Sequence, residues 1–144
     1  MSTAAAVVTA LTFVWLGMVF AISFIEAPLK FRAPGVTLPI GLGIGRLVFR
    51  ALNAAEIIWA AGILVAVLVG SWPGLAEPIA AGVAIAALAI QVAVVRPALT
   101  KRSDAVLAGH EGPRSHAHFV YVGFEVVKVV ALIWLGVAVL IGAT

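Results

Sequence analysis

Four long segments of the chain are almost free of charged residues. Positions 1–25, 57–76 and 78–95 contain none, and the charged residues of 118–144 are Glu125 and Lys128. An α-helix needs about 20 apolar residues to cross the hydrocarbon core of a bilayer, and each segment is near that length. Only helices and closed barrels satisfy their backbone hydrogen bonds within lipid. We therefore expect an all-α, integral membrane four-helix bundle.

The composition leaves no sequence for a separate soluble domain. Charged residues make up 10% of the chain, against about 25% in soluble domains. We predict one domain over 1–144, with helices at about 4–27, 46–70, 78–96 and 116–141. The segment 28–45, rich in proline and glycine but also apolar, is predicted as a re-entrant or interfacial loop.

The lysines and arginines predict the orientation of this bundle. Eight of the nine lie in or beside the polar loops predicted at 28–45 and 97–116. The positive-inside rule then places these loops in the cytoplasm and both termini on the other side of the cytoplasmic membrane. Because topology accounts for the positive net charge, we expect no nucleic-acid partner. The absence of cysteine excludes disulfides and thiolate chemistry.

Predicted helix two carries a polar face that ends in a glutamate. Arg46, Arg50, Asn53 and Glu56 follow one another at helical spacing. Glu56 lies ten residues beyond Arg46, about 15 Å along the helix, and therefore near mid-bilayer. Acids at that depth are functional candidates. The alternative is a structural carboxylic acid that is hydrogen-bonded to Asn53 or to another helix.

Predicted helix four carries a similar stripe. His118, Tyr121, Glu125 and Lys128 share one face, whereas the other faces are nearly all aliphatic. Glu125 and Lys128 are three residues apart and can pair. This pair either belongs to a functional site or fixes the register of the bundle.

A further acid lies at the end of predicted helix one. Glu26 and Lys30 are four residues apart, as expected for an interfacial salt bridge. Gln91 and Arg96 can extend the polar surface along helix three. We predict a cytoplasm-facing pocket with glutamates at its floor and polar residues along its walls. The floor residues are Glu56 and Glu125, and the ligand-binding residues are Glu26, Arg50, Asn53, His118, Tyr121 and Lys128.

Histidines cluster where predicted helix four begins, at His110, His116 and His118, with Glu111 nearby. Side chains of this type bind transition metals. However, His116 and His118 diverge if both are helical, and no second cluster supplies matching ligands. We predict neither a metal site nor any other cofactor.

Two short motifs resemble those of a known group of membrane proteins. The first motif is Ala27-Pro28-x-x-Phe31, after the first predicted helix, and the second runs from Gly45 to Phe49 at the entry to the second helix. Together they are similar to the pattern of small transmembrane-protein-205-like proteins. The similarity covers about the first 60 residues. It implies a four-helix membrane bundle and no established chemistry.

These features favour one function and leave two others open. The first is binding or transport of a small lipophilic or cationic molecule, with a homo-oligomer completing any pathway. The second is an intramembrane isomerase, cyclase or hydrolase, in which Glu56 donates a proton and Glu125 is the base. The third is an accessory subunit whose polar stripes dock another membrane protein.

Overall fold

The computed structural model describes residues 1–109 and 116–144, and these residues form helices and short links. Four helices are long and apolar enough to cross a membrane, as predicted. They are α1 (Thr3–Arg32), α2 (Leu38–Val69), α3 (Ala76–Leu107) and α4 (His116–Gly142). Of the predicted histidine cluster, His110 and Glu111 lie outside the described residues.

The start of α2 corrects the predicted loop 28–45. The helix begins at Leu38 rather than near position 46. The Thr37 side chain accepts a hydrogen bond from the Ile40 amide at 3.4 Å, and Pro39 occupies the first turn. Both features are typical of a helix N-terminus. The chain reverses just before it at Gly35, whose φ of 81° few other residues adopt.

Helices α1 and α3 continue through prolines at which we predicted their ends. A proline lacks an N–H donor, and its ring clashes with the carbonyl four residues earlier. In α1 a π-helical segment, Phe20–Glu26, directly precedes the turn that holds Pro28. In α3 the π segment Gln91–Val95 has the same position relative to Pro97. A π segment changes the hydrogen-bond register, so the predicted ends near 27 and 96 are wrong.

The helices pack as a bundle with α2 and α4 diagonally opposed. Helix α1 lies against α2 and α4, while α3 lies against α4 and α2. The main apolar core fills the bundle away from the basic loops, and small residues on α3 let α4 approach closely. The buried members of this apolar core are Val8, Trp15, Val19, Ala60, Ile63, Ala66, Ala80, Ala81, Ala84, Leu88, Ala131, Leu132, Leu135 and Val139.

The outer surface of the bundle is strongly apolar. Large side chains such as Leu68, Val94 and Ile141 are about two-thirds exposed or more. Many further leucine, valine, isoleucine and phenylalanine side chains are exposed along all four helices. A soluble monomer rarely exposes contiguous apolar surface on this scale, whereas it suits a bundle surrounded by lipid.

Candidate functional site

A buried lysine lies at the centre of the polar site. The Lys128 ammonium is 2.5 Å from Glu56 Oε2 and 2.5 Å from Glu125 Oε1. It also donates to Gln91 Oε1 at 2.7 Å. Lysine has three N–H donors, so these three contacts saturate it. The predicted pairing of Glu125 with Lys128 is confirmed, and Glu56 shares the same cation.

Glu56 is sealed inside the bundle. Its side chain is fully buried. Besides Lys128, Oε2 accepts from Trp15 Nε1 at 2.7 Å, and Oε1 accepts from Asn53 Nδ2 at 3.0 Å. Each carboxylate oxygen therefore has a donor, which a buried anion requires.

Glu125 is held by residues from the two π segments. Ser23 Oγ, in the π segment of α1, donates to Glu125 Oε2 at 2.5 Å. Gln91 Nε2, in the π segment of α3, donates to Glu125 Oε1 at 2.8 Å. The Gln91 amide thus donates to Glu125 and accepts from Lys128. Both π segments aim a polar side chain at the same carboxylate.

Arg96 connects this centre to the basic end of the molecule. Its Nε and Nη2 donate to Asn53 Oδ1 at 3.2 and 2.7 Å, and Nη2 also donates to the Tyr121 hydroxyl at 3.3 Å. The guanidinium carbon lies 5.3 and 5.1 Å from the ring centroids of Phe49 and Tyr121. These distances are typical of cation–π contacts, and Asn53 joins Arg96 to Glu56.

The network is balanced in charge. It contains two carboxylates, Glu56 and Glu125, and two cations, Lys128 and Arg96. An unpaired charge within a bilayer costs several kcal/mol, and a buried ion pair is tolerated when its remaining hydrogen-bonding groups are also satisfied. Glu56, Glu125 and Lys128 meet both conditions, whereas Arg96 donates to the neutral oxygens of Asn53 and Tyr121.

A cavity of about 460 Å³ lies beside this network, at the end of the bundle that carries the basic residues. Its volume falls within the range of small-molecule sites, roughly 300–1,000 Å³. Ser23, Tyr121, Glu125 and Arg96 reach it from the network. The other side chains along its walls are mostly apolar, among them Phe24, Phe31, Leu42, Phe49, Leu99 and Val122. We call this space the basic-end cavity.

The structure places seven of the eight predicted site residues in three groups. Glu125, Tyr121 and His118 line the basic-end cavity. Glu56, Asn53 and Lys128 belong to the buried network and are not among the described residues that line it. At the rim, Glu26 lies 3.8 Å from Lys30 as an ion pair.

Arg50 lies outside both the network and the cavity lining, because its side chain is exposed. It was predicted to share a face with Glu56. Six residues separate the two positions, and at 3.6 residues per turn this leaves them about 120° apart around the helix. Arg96 from α3 hydrogen-bonds Asn53 instead.

Our interpretation of the sequence missed two donors on α1, Trp15 and Ser23. A buried tryptophan N–H usually finds a partner, and a serine within an apolar helix needs one as well. Those requirements were visible in the sequence, but they did not indicate which acid would accept. A third buried acid, Glu77, was also missed. It lies in the first turn of α3 at the opposite end of the bundle, where the helix dipole favours an anion.

Comparisons of the chain with family models, with curated proteins and with solved structures find no match. The resemblance to transmembrane-protein-205-like proteins therefore stays a prediction. Among residues 1–109 and 116–144, no three histidine, aspartate or glutamate side chains are grouped as metal ligands.

Proposed function

We propose that this chain is an integral membrane protein that binds a small lipophilic molecule in the basic-end cavity. One observation carries the proposal: an apolar-walled space of about 460 Å³ ends on a buried, charge-balanced polar network. Ligand sites typically combine apolar walls with a few well-placed polar groups. The clustered lysines and arginines support a cytoplasmic position for this end of the bundle.

The packing of the bundle supports binding more directly than transport. On the far side of the network, Trp15, Ile63 and Leu132 are fully buried in the apolar core. In the described residues the cavity therefore ends at the network. Transport requires a second conformation or a partner subunit, whereas binding requires neither.

A route for a lipophilic molecule into the cavity leads through the side of α1. Phe24, Pro28 and Phe31 line the cavity and are among the exposed residues of α1. A ligand dissolved in the bilayer reaches these residues without crossing water. We propose that it enters here, with its polar group directed towards the floor.

A matched pair of leucine substitutions tests the proposal. Leu42→Trp adds bulk within the cavity, and Leu68→Trp adds the same bulk at an exposed position elsewhere on the same helix. We expect native mass spectrometry of the wild-type protein to show a copurified lipophilic molecule. Leu42→Trp should lower its occupancy about tenfold, equivalent to about 1.4 kcal/mol, and Leu68→Trp should not. Equal occupancy in both variants would overturn the proposal.

Acid–base catalysis on a lipophilic substrate is the second candidate. It is favoured by Glu125, which reaches the cavity beside Ser23 and Tyr121. Glu56 is sealed behind the floor, so a proton donated to a substrate would come through Glu125. In that case the bound molecule leaves chemically changed. Glu125→Gln would then stop conversion without preventing binding, whereas a binding protein releases its ligand unaltered.

A further inference from the structure

We infer that the ligand of the basic-end cavity is a single-tailed amphiphile with an anionic head group, a carboxylate or a phosphate monoester, bound at Arg96. This inference rests on the proposed function, because it names the class of molecule that the same cavity takes. It also replaces the cationic ligand that the buried glutamates suggested in the sequence.

The acid at the floor already has a counter-ion in Lys128, so it offers a cationic head group little additional attraction. Glu125 Oε1 accepts from Lys128 and Gln91, and Oε2 accepts from Ser23. An incoming cation would share a carboxylate that Lys128 already neutralises, or would displace Lys128 from it. Removing the partner of a buried charge is strongly destabilising, so the site disfavours cations.

Arg96, in contrast, retains capacity for an anion. Its acceptors are the neutral oxygens of Asn53 and Tyr121, and the ion pairs between described residues do not include it. Arginine carries five N–H donors in a planar fork, and the bonds above use its Nε and Nη2. Nη1 donates to no described acceptor, and the side chain lines the cavity. A carboxylate or phosphate matches this fork geometry.

A second cation lies on the same wall. Lys30 Nζ and the Arg96 guanidinium carbon lie 5.8 and 5.3 Å from the centroid of the same Phe49 ring. The Glu26 carboxylate is 3.8 Å from Lys30, beyond hydrogen-bonding distance. Two cations beside one ring repel each other in a medium of low dielectric. Both residues line the basic-end cavity, so an anion bound there is attracted by both charges.

The contacts of Arg96 also hold it in place before any ligand arrives. Its guanidinium packs against the Phe49 and Tyr121 rings while Asn53 accepts two of its N–H groups. A site ordered in advance loses less conformational entropy on binding. The apolar walls then accommodate a single tail, because 460 Å³ lies near the lower end of the range for small-molecule sites.

Four twelve-carbon amphiphiles test the head-group assignment. They are dodecanoate, dodecyl phosphate, dodecanol and dodecylamine, and each is titrated into the purified full chain in a neutral detergent. We expect the two anions to bind at least about tenfold more tightly than the alcohol and the amine. Equal binding of the alcohol or the amine would overturn the inference and leave the proposed function standing. If none binds and no lipophilic molecule copurifies, the proposed function itself fails.

Two arginine substitutions locate the head group. Arg96→Gln should lower the affinity for dodecanoate about tenfold and leave that for dodecanol unchanged. Arg50→Gln removes the same charge from an exposed position and should change neither. If Arg96→Gln does not fold, Arg96→Lys keeps the charge without the fork, and dodecyl phosphate should bind several-fold more weakly. Wild-type affinity for dodecanoate in Arg96→Gln, or for dodecyl phosphate in a folded Arg96→Lys, would overturn the assignment.

A competition in nanodiscs identifies the source of the anion. Dodecanoate is titrated into protein in phosphatidylcholine discs, with and without phosphatidylglycerol. Competition by phosphatidylglycerol, a two-tailed phosphodiester, would overturn the single-tailed assignment and indicate the head group of a bilayer lipid. Unchanged dodecanoate binding supports a free, single-tailed amphiphile, which is the result we expect from the cavity volume.

Discussion

Two Glu–Lys pairs look alike in the sequence but occupy different environments. Glu26 and Lys30 are four residues apart on α1, and Glu125 and Lys128 are three apart on α4. At the rim, the Glu26 side chain is 37% exposed and lies 3.8 Å from Lys30. In the bundle, the second pair is 2% exposed or less and separated by 2.5 Å, and Lys128 is shared with Glu56.

Burial determines what each pair contributes. At the rim, the Glu26 side chain is partly exposed and Lys30 is 10% exposed, so water still reaches the pair, and such pairs typically contribute about 1 kcal/mol or less. In the core, loss of one partner leaves a charge with neither water nor counter-ion, which costs about 3–5 kcal/mol. The buried network therefore helps to determine how the helices associate, whereas the rim pair mainly positions Lys30 beside the cavity.

The largest effect is expected from Lys128→Met. The substitution leaves Glu56 and Glu125 facing each other without a cation, and we expect the free energy of unfolding to fall by about 3–5 kcal/mol. Unfolding in mixed detergent, followed by circular dichroism, measures it. Lys101→Met removes an exposed lysine and serves as the control. A loss below 1 kcal/mol for Lys128→Met would show that the buried and rim pairs do not differ.

Glu56→Gln should have the next largest effect on stability. It removes a charged acceptor of Lys128 and Trp15, and hydrogen bonds to charged groups contribute about 1.5–3 kcal/mol each. Because Glu56 does not line the basic-end cavity, affinity for dodecanoate should stay within twofold. Glu125→Gln is the matched variant at the cavity floor and should change that affinity more. The reverse order would contradict the separation of the two acids.

Ser23→Ala should lower the free energy of unfolding by less, about 1 kcal/mol. It removes the donor to Glu125 Oε2, but this position borders the cavity, where water can replace the lost hydrogen bond. Ser71→Ala, at an exposed serine in the link between α2 and α3, is the control. Thermal unfolding of both variants measures the difference. A loss of stability as large as that of Glu56→Gln would mean that water does not reach the floor of the basic-end cavity.

Glu26→Gln should have the smallest effect, below about 1 kcal/mol. The loss of stability caused by this substitution should also become smaller as salt is added, because ions screen exposed charges. Unfolding at low and high ionic strength provides the measurement, with Lys128→Met as the salt-insensitive comparison. A salt-independent loss of several kcal/mol would place Glu26 with the buried charges.

Prediction from sequence was most successful where a single physical property dominates. Apolar length identified four helices, because a run of about 20 apolar residues has few alternatives. It was least successful where local and tertiary effects compete. Pro28 and Pro97 indicated helix ends, yet a π segment before each lets the helix continue. The glycines after Thr37 indicated a loop, although they lie within α2. Gly41 packs against the Phe31 ring, and a side-chain carbon added there would clash with it.

The sequence by itself determined which side chains need a hydrogen-bonding or ionic partner in the folded protein. Glu56, Glu125 and Lys128 stand in apolar segments, and a charge there requires a partner. Which partner it finds depends on how the helices are rotated and which ones are neighbours, and local spacing does not encode either property. The tertiary structure therefore decided that Lys128 serves both acids, that Arg96 rather than Arg50 contacts Asn53, and that Glu125 alone of the two acids reaches the cavity.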